Sequence, residues 1–319
     1  MIIRVMLSLA FALAAAAAAQ GPEPVTYLGA CEPSGAVMLE PGLFIVGDDD
    51  TKDLLVYRKC QPSVPPRPLK ISGFPGLEKK ADLEGAARIG DEIFWIGSHS
   101  RKNSGDEDLD RHRLFAIKVT SKGDELAVEA VGKPYKTLLE DLQKDERFER
   151  FDLGAATQLA PGKEGALNIE GLAATPDGGL LIGLRNPIRN GKALIIPLSN
   201  PRQVMEGAKP SFGDPVELDL GGLGIRSLEH WPAGKSYVIV AGTFADGGSF
   251  QLFLWSGLAS DKPKPVAGAD LSPLVPEAVF FDPAAPAEMF VLSDDGDFCP
   301  SAPAFRSRRI TLPIGSHEP

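Results

Sequence analysis

The chain has 319 residues, of which 43% are hydrophobic, and a formal charge of −10. That acidity excludes nucleic acid or an anionic membrane surface as the natural partner. The size allows a large core in one or two domains, and 34 glycines and 28 prolines suit many short strands joined by tight turns.

Residues 1–19, MIIRVMLSLAFALAAAAAA, carry one basic residue, an apolar run and then small residues up to Gln20. This is the layout of a secretory signal peptide cut near Ala19/Gln20. The run is too short for a membrane span, which needs about 20 residues. Loss of Arg4 would take the charge from −10 to −11. A soluble, exported, monomeric chain with one domain over 20–319 is expected, secreted or periplasmic.

After that leader the chain repeats. Ser34 is followed 13 residues later by Gly47, Glu84 by Gly97, Glu170 by Gly183 and Glu229 by Gly242; a fifth copy with a longer turn starts at Glu277. One spacing recurring four times is an internal repeat. The copy from Asn168 to Arg185 shows its form: an apolar run, the Pro176-Asp177-Gly178 turn, then a second apolar run. Proline presets φ, aspartate bonds its own backbone and glycine takes positive φ, so the unit is a hairpin. Third strands follow at 54–57, 114–117, 193–196, 251–255 and 309–312. Three or four antiparallel strands per copy, at intervals of 50, 86, 59 and 48 residues, predict an all-β propeller of five blades, with six as the alternative. Residues 25–28 are placed beside the last blade, closing the ring and protecting strand edges.

The long interval holds an insertion. Thr137 and Glu140 form a capping-box pattern, and Leu138, Leu139, Leu142 and Phe148 make one apolar stripe, predicting a short helix over about 137–150. A degenerate sixth blade within 120–165 is the competing reading. Arg101 to Arg113 is a polar loop within the second blade. Its Asp106, Asp108 and Asp110 alternate as in a calcium loop, but Arg111 stands where glycine is needed, so the loop is read as solvated. Gln61 to Pro68 is a proline-rich connector. Cys31, Cys60 and Cys299 permit one bridge in an exported protein, with three possible pairings; a propeller puts Cys31 and Cys299 together at the seam.

A propeller lines its axis with the first strand of each blade. The repeat therefore gathers Ser34, Glu84, Glu170, Glu229 and Glu277 on one face. The residues after the second strands join them: Asp48, Asp49, Ser98, His99, Arg185, Asn186, Thr243, Asp294 and Asp295. Converging carboxylates repel, so either their pKa values rise or a cation sits among them. Ligands that are all oxygen favour Ca²⁺ before Mg²⁺. We assign Glu84, Glu170, Glu229, Glu277, Asp48 and Asp294 as candidate metal ligands and Asn186, Asp49 and Asp295 as candidate ligand contacts. His99, Arg185 and Glu170 are the candidates for chemistry on a small anionic or ester substrate. The competing reading is that the repeated acids accept backbone hydrogen bonds and pin the ring. No Walker loop, G-x-G-x-x-G, H-E-x-x-H or G-x-S-x-G is present.

The blades D-L-E-G-A-A (Asp82 to Ala87) and N-I-E-G-L-A (Asn168 to Ala173), with P-D-G-G-L-L-I-G-L-R-N-P (Pro176 to Pro187), resemble a family of exported bacterial proteins of uncharacterised function. E-P-S-G-A (Glu32 to Ala36) is similar to the opening motif of a wider group that includes phytase-related esterase-like propellers and, more distantly, calcium-dependent gluconolactonase-type hydrolases. The resemblance covers about residues 25–315. It implies a propeller with a polar, calcium-dependent face, on which Glu84, Glu170, Glu229 and Glu277 match the recurrent acid. Ser34 departs from it, unless Glu32 or Asp48 substitutes, and Asn186 and Asp294 match by type the roles of a gluconolactonase-type site. Two functions follow as expectations: a metal-assisted hydrolase of phosphate or other esters, or a non-catalytic binding scaffold of the cell envelope.

Overall fold

The structure, a computed structural model, describes residues 23–313 apart from 50, 123, 124, 246, 297, 298 and 300. The expected leader and its cut at Ala19/Gln20 lie outside the described residues.

The chain opens with β1 (Val25–Leu28) and then builds five four-stranded antiparallel sheets around an axis. The first blade is β2 (Pro33–Glu40), β3 (Leu43–Asp48), β4 (Leu54–Arg58) and β5 (Arg67–Leu69); the second is β6 (Leu83–Ile89), β7 (Glu92–Gly97), β8 (Leu114–Lys122) and β9 (Glu125–Tyr135). The third is β10 (Asn168–Ala174), β11 (Leu180–Asn186), β12 (Lys192–Leu198) and β13 (Val216–Asp219); the fourth is β14 (Gly224–Trp231), β15 (Ser236–Gly242), β16 (Phe250–Trp255) and β17 (Lys264–Pro265). The fifth is β18 (Pro276–Asp282), β19 (Ala285–Ser293) and β20 (Ala304–Thr311), completed by β1, whose Val25 pairs with Ser307 and Leu28 with Ala304.

The protein is thus a five-bladed β-propeller. The first strands β2, β6, β10, β14 and β18 neighbour one another around the axis. Five apolar clusters fill the spaces between successive blades. Strands buried on both faces read as nearly continuous apolar runs, such as Phe44-Ile45-Val46 and Phe94-Trp95-Ile96, all 0% exposed. The ring is tied at its seam by the Cys31–Cys299 disulfide, leaving Cys60 exposed and free.

The insertion differs from its expected form. Segment 125–135 is the outer strand of the second blade, so no sixth blade exists there. The helix is broken into α1 (Leu138–Gln143), a 3₁₀ turn at Glu146–Phe151 and α2 (Leu153–Ala156), while α3 (Pro201–Met205) follows the third blade's β12. No capping box forms, because the Thr137 hydroxyl donates to Asp141 Oδ2 at 3.0 Å instead of reaching the helix backbone. The apolar stripe is buried as expected, with Phe151 and Leu153 added, wedged between the second and third blades. No helix among the described residues is long and apolar enough to cross a membrane.

Candidate functional site

Each first strand has one residue out of pairing register near its start. The pairing slips between Pro33 and Gly35, Leu83 and Gly85, Ile169 and Gly171, Ile225 and Ser227, and Pro276 and Ala278. The residues skipped are Ser34, Glu84, Glu170, Arg226 and Glu277. A bulge leaves its extra residue outside the ladder and re-aims the side chain. Here all five are buried near the axis; Glu84, Glu170, Arg226 and Glu277 line a cavity of about 470 Å³ at one mouth of the ring, and Ser34 lies just beneath it.

Glycines beside the bulges make this closeness possible. A Cβ on Gly85 would stand 2.9 Å from the Leu172 Cβ, and one on Gly224 would stand 1.9 Å from the Arg185 carbonyl oxygen. Neither backbone approach tolerates a side chain.

The cup has two halves of different character. In one, Glu170 Oε1 accepts from Arg185 Nη1 at 2.8 Å and from Asn168 Nδ2 at 3.0 Å, while its Oε2 lies 3.1 Å from Arg226 Nε. Arg226 also donates to Glu277 Oε1, and the Ser34 hydroxyl donates to Glu277 Oε2 at 3.3 Å. Two acids and two arginines thus form one buried chain, the compensation that burial of charge requires.

The other half lacks that compensation. Ligand atoms of Asp49, Asp82 and Glu84 lie within 4.8 Å of one another. Asp82 is paired with Arg111 at 2.7 Å, but Asp49 and Glu84 have no side-chain hydrogen bond or ion pair among the described residues. Glu84 is only 7% exposed. Burial first, then the neighbouring charges of Asp49, Glu170, Asp82 and Glu277, push its carboxyl well above the usual range. Asp49 is raised for the same reasons, with burial foremost, then Asp82 and Glu277. Burial pushes Glu277 up to about 8, against the pull of Arg226. Asp294, at the rim, is raised mainly by burial although Gly296 N donates to its Oδ1 at 2.8 Å.

Of the residues nominated from sequence, Glu84, Glu170, Glu277, Asp49, Asp294 and Arg185 line this cavity. The others are elsewhere. Glu229 lies three residues beyond Arg226, opposite Val238, and opens into the other mouth of the ring. Its spacing to Gly242 matched the repeat by coincidence, because the fourth blade's true counterpart is an arginine. Asp48 is buried and accepts from the Cys31 and Glu32 backbone N–H groups at 3.2 and 3.0 Å, fixing the seam. Asp295 is bound to Ser293 Oγ and to the Arg306 backbone and guanidinium, which consumes both its oxygens.

His99 is 1% exposed, with Nδ1 2.8 Å from the Gly97 carbonyl and its ring 5.5 Å from that of His112; burial lowers its pKa to about 3. It does not line the cavity. Asn186 is buried and donates to the Lys163 carbonyl at 2.8 Å, anchoring the insertion loop rather than facing a ligand.

Three contributors were not nominated. Asp82 stands two residues before Glu84 in the quoted D-L-E-G motif, where only the glutamate was read as functional. Arg226 is a base at a position where the other blades carry acids or serine, so the repeat of carboxylates does not reveal it. Arg111, in the loop read as solvated, is carried to Asp82 by a 3₁₀ turn (Leu109–Arg111), whose N-cap Asp108 accepts from Asp110 N at 3.1 Å. Asp106 and Asp110 are used locally, by Ser104 and by Arg113 with Lys79, so no calcium loop forms.

Three carboxylates, two without side-chain partners and none accompanied by cysteine or histidine among the described residues, fit a hard cation that takes oxygen ligands.

Among solved structures the chain is similar to a glucose dehydrogenase-type putative oxidoreductase from Thermus thermophilus (12% identity, 90% of this chain and 99% of that one, TM-score 0.47). It is also similar to a gluconolactonase from Xanthomonas campestris (11%, 92% and 91%, 0.42) and to a calcium-binding protein, regucalcin, from Agrobacterium tumefaciens C58 (9%, 89% and 92%, 0.41). No curated protein matches the chain. One family model, described as protein of unknown function (DUF3616), matches residues 111–279. That stretch is more than half of the chain and runs from Arg111 to the fifth blade, and the chain belongs to that family.

Proposed function

We propose that this is an exported, single-domain propeller whose acidic cup binds a divalent cation, Ca²⁺ in preference to Mg²⁺, and hydrolyses a small phosphate or other ester. One observation carries the reading: among the described residues the carboxyls of Asp49 and Glu84 have no side-chain partner, in the same cavity where Arg185 and Arg226 supply positive charge. Asp49, Asp82 and Glu84 would hold the cation. Bound there, it would relieve their repulsion and polarise an ester oxygen. Arg185 and Arg226, held by Glu170, would orient an anionic group. Glu170 is thereby a positioning residue. Glu277, with its carboxyl near 8, is suited to hold or accept a proton at neutral pH, the part first given to His99. The seam disulfide supports an oxidising compartment outside the cytoplasm, as the N-terminal pattern does.

A second reading is favoured by the chain Arg185–Glu170–Arg226–Glu277, whose members already pair their charges with one another. Such a rigid face suits a non-catalytic scaffold that binds a ligand through the cation alone.

The test is turnover of phosphomonoester, phosphodiester and carboxylic ester substrates with calcium and with chelator. Calcium-dependent turnover that disappears in Glu84→Gln and Arg185→Ala, both still folded, supports the hydrolase. A calcium-dependent rise in melting temperature with no turnover on any substrate favours the scaffold.

A further inference from the structure

The ring has a second mouth. Between the two, the axis is filled by Leu172, Leu228 and Ala278 packed on Gly35 and Gly85, leaving a gap of about 10 Å³, room for at most one water. Beyond this plug the far ends of the five first strands surround a cavity of about 750 Å³, within the range of sites for drug-sized ligands. Its walls are mostly apolar, with Val37 and Leu39 of the first blade, Phe280 and Phe281 of the fifth, and Trp231, whose indole stacks on Phe281 with centroids 5.7 Å apart; Glu40, Arg88, His230 and Asp282 also reach it.

Glu229 lines this cavity, and its carboxyl makes no hydrogen bond or ion pair among the described residues. The nearby cations are committed elsewhere. Arg88 directs its guanidinium at the carbonyls of Met38, Leu39 and Gly90, at 3.0, 2.6 and 2.9 Å. Lys59 is paired with Asp282 at the rim. The cavity therefore presents a carboxyl without a counter-charge against aromatic walls.

We propose that this mouth binds a small organic cation, an amine carried on an apolar body. The ammonium would pair with the Glu229 carboxylate, and the body would lie on Trp231 and Phe281, where aromatic faces also attract positive charge. A neutral molecule of the same shape would fill the walls but leave Glu229 unmatched. An anionic ligand would find no free positive partner there, so the mouth suits the opposite chemistry from the arginine side of the cup. This inference does not depend on the cup being a hydrolase.

The test is calorimetric titration of the full chain at about pH 8 with 1-naphthylmethylamine and with its neutral counterpart, 1-naphthylmethanol. The amine is expected to bind saturably and at least about tenfold more tightly than the alcohol, as one charged hydrogen bond supplies. Glu229→Gln should bring the two within about threefold of each other, while Glu84→Gln leaves the preference intact. A crystal soaked with the amine supplies a readout independent of any variant, with the nitrogen expected against Glu229. Equal binding of amine and alcohol, saturation by neither, a preference that survives Glu229→Gln, or a nitrogen placed away from Glu229 would each overturn the proposal.

Discussion

Replacing Glu84 with glutamine should make the protein more stable, not less, when no cation is present. Glu84 is 7% exposed, unpartnered, and surrounded by Asp49, Asp82, Glu170 and Glu277, each of which raises its pKa. An acid whose folded pKa is raised contributes its full stability below the unfolded value, near 4.5, and loses that contribution as pH rises through the folded value. Glutamine keeps the shape and removes the charge. Leaving a buried polar group unsatisfied costs about 1–3 kcal/mol, and somewhat more when charged. Glu84→Gln in chelator at pH 8 should therefore gain about 1–3 kcal/mol. At roughly 2–4 °C per kcal/mol for a domain of this class, that is about 2–12 °C in Tm. The gain should vanish near pH 5, where Glu84 is neutral by itself. Calcium should reverse the order, since a ligand at about 100 times its Kd adds about 2.7 kcal/mol to the form that binds it. Thermal unfolding followed by tryptophan fluorescence, at both pH values and with calcium or chelator, reads all four conditions. A Glu84→Gln protein less stable than the parent at pH 8 in chelator would refute the reasoning, because it would mean that Glu84 serves as a structural acceptor.

Four further outcomes are expected. Arg226→Met strips the shared cation from Glu170 and Glu277 and should cost about 3–5 kcal/mol in urea unfolding; adding Glu277→Gln should return more than about 1 kcal/mol of that, a coupling that a double-mutant cycle measures. Gly224→Ala drives a methyl into the Arg185 carbonyl and should cost about 1–3 kcal/mol, with a loss of turnover beyond the loss of folded protein. Cys31→Ala opens a loop of sequence separation 268 and should cost about 2–5 kcal/mol, whereas Cys60→Ser should be silent in Tm. The pH–rate profile should inflect near 8 and lose that inflection in Glu277→Gln, while His99→Asn leaves the profile's shape unchanged because a histidine near 3 does not titrate in the working range.

The propeller was legible because its determinants are local. Turn residues such as Pro176-Asp177-Gly178 and apolar runs at a fixed spacing encode hairpins, and hairpins in series close a ring once β1 has an edge to join. The cup was legible only in part. Glu84, Glu170 and Glu277 repeat both in sequence and in space, since a bulge places each of them. Glu229 imitates that spacing without the bulge. The fourth hairpin turns through a 3₁₀ segment (Pro232–Gly234), which shifts its count relative to the other blades and puts Arg226 at the equivalent position. No pattern of residue types announces this, because an arginine among acids breaks the motif while completing the electrostatics. Arg111 was hidden for another reason: it sits in a loop whose path is set by local caps and not by strand periodicity. His99 and Asp295 are next to the site in sequence but turned away from it, a choice made by alternation along the strand ends and by the partners Gly97 and Arg306.

The central claim is that the bulge at Glu84, together with Asp82 just before β6 and Asp49 just after β3, assembles a cation site. The most direct measurement is anomalous diffraction from crystals soaked in manganese, which takes the same hard oxygen ligands. The account predicts one strong peak among those three carboxylates, lost in Glu84→Gln. A clean map with no peak there, or a peak elsewhere while Glu84 stays bare, would contradict it.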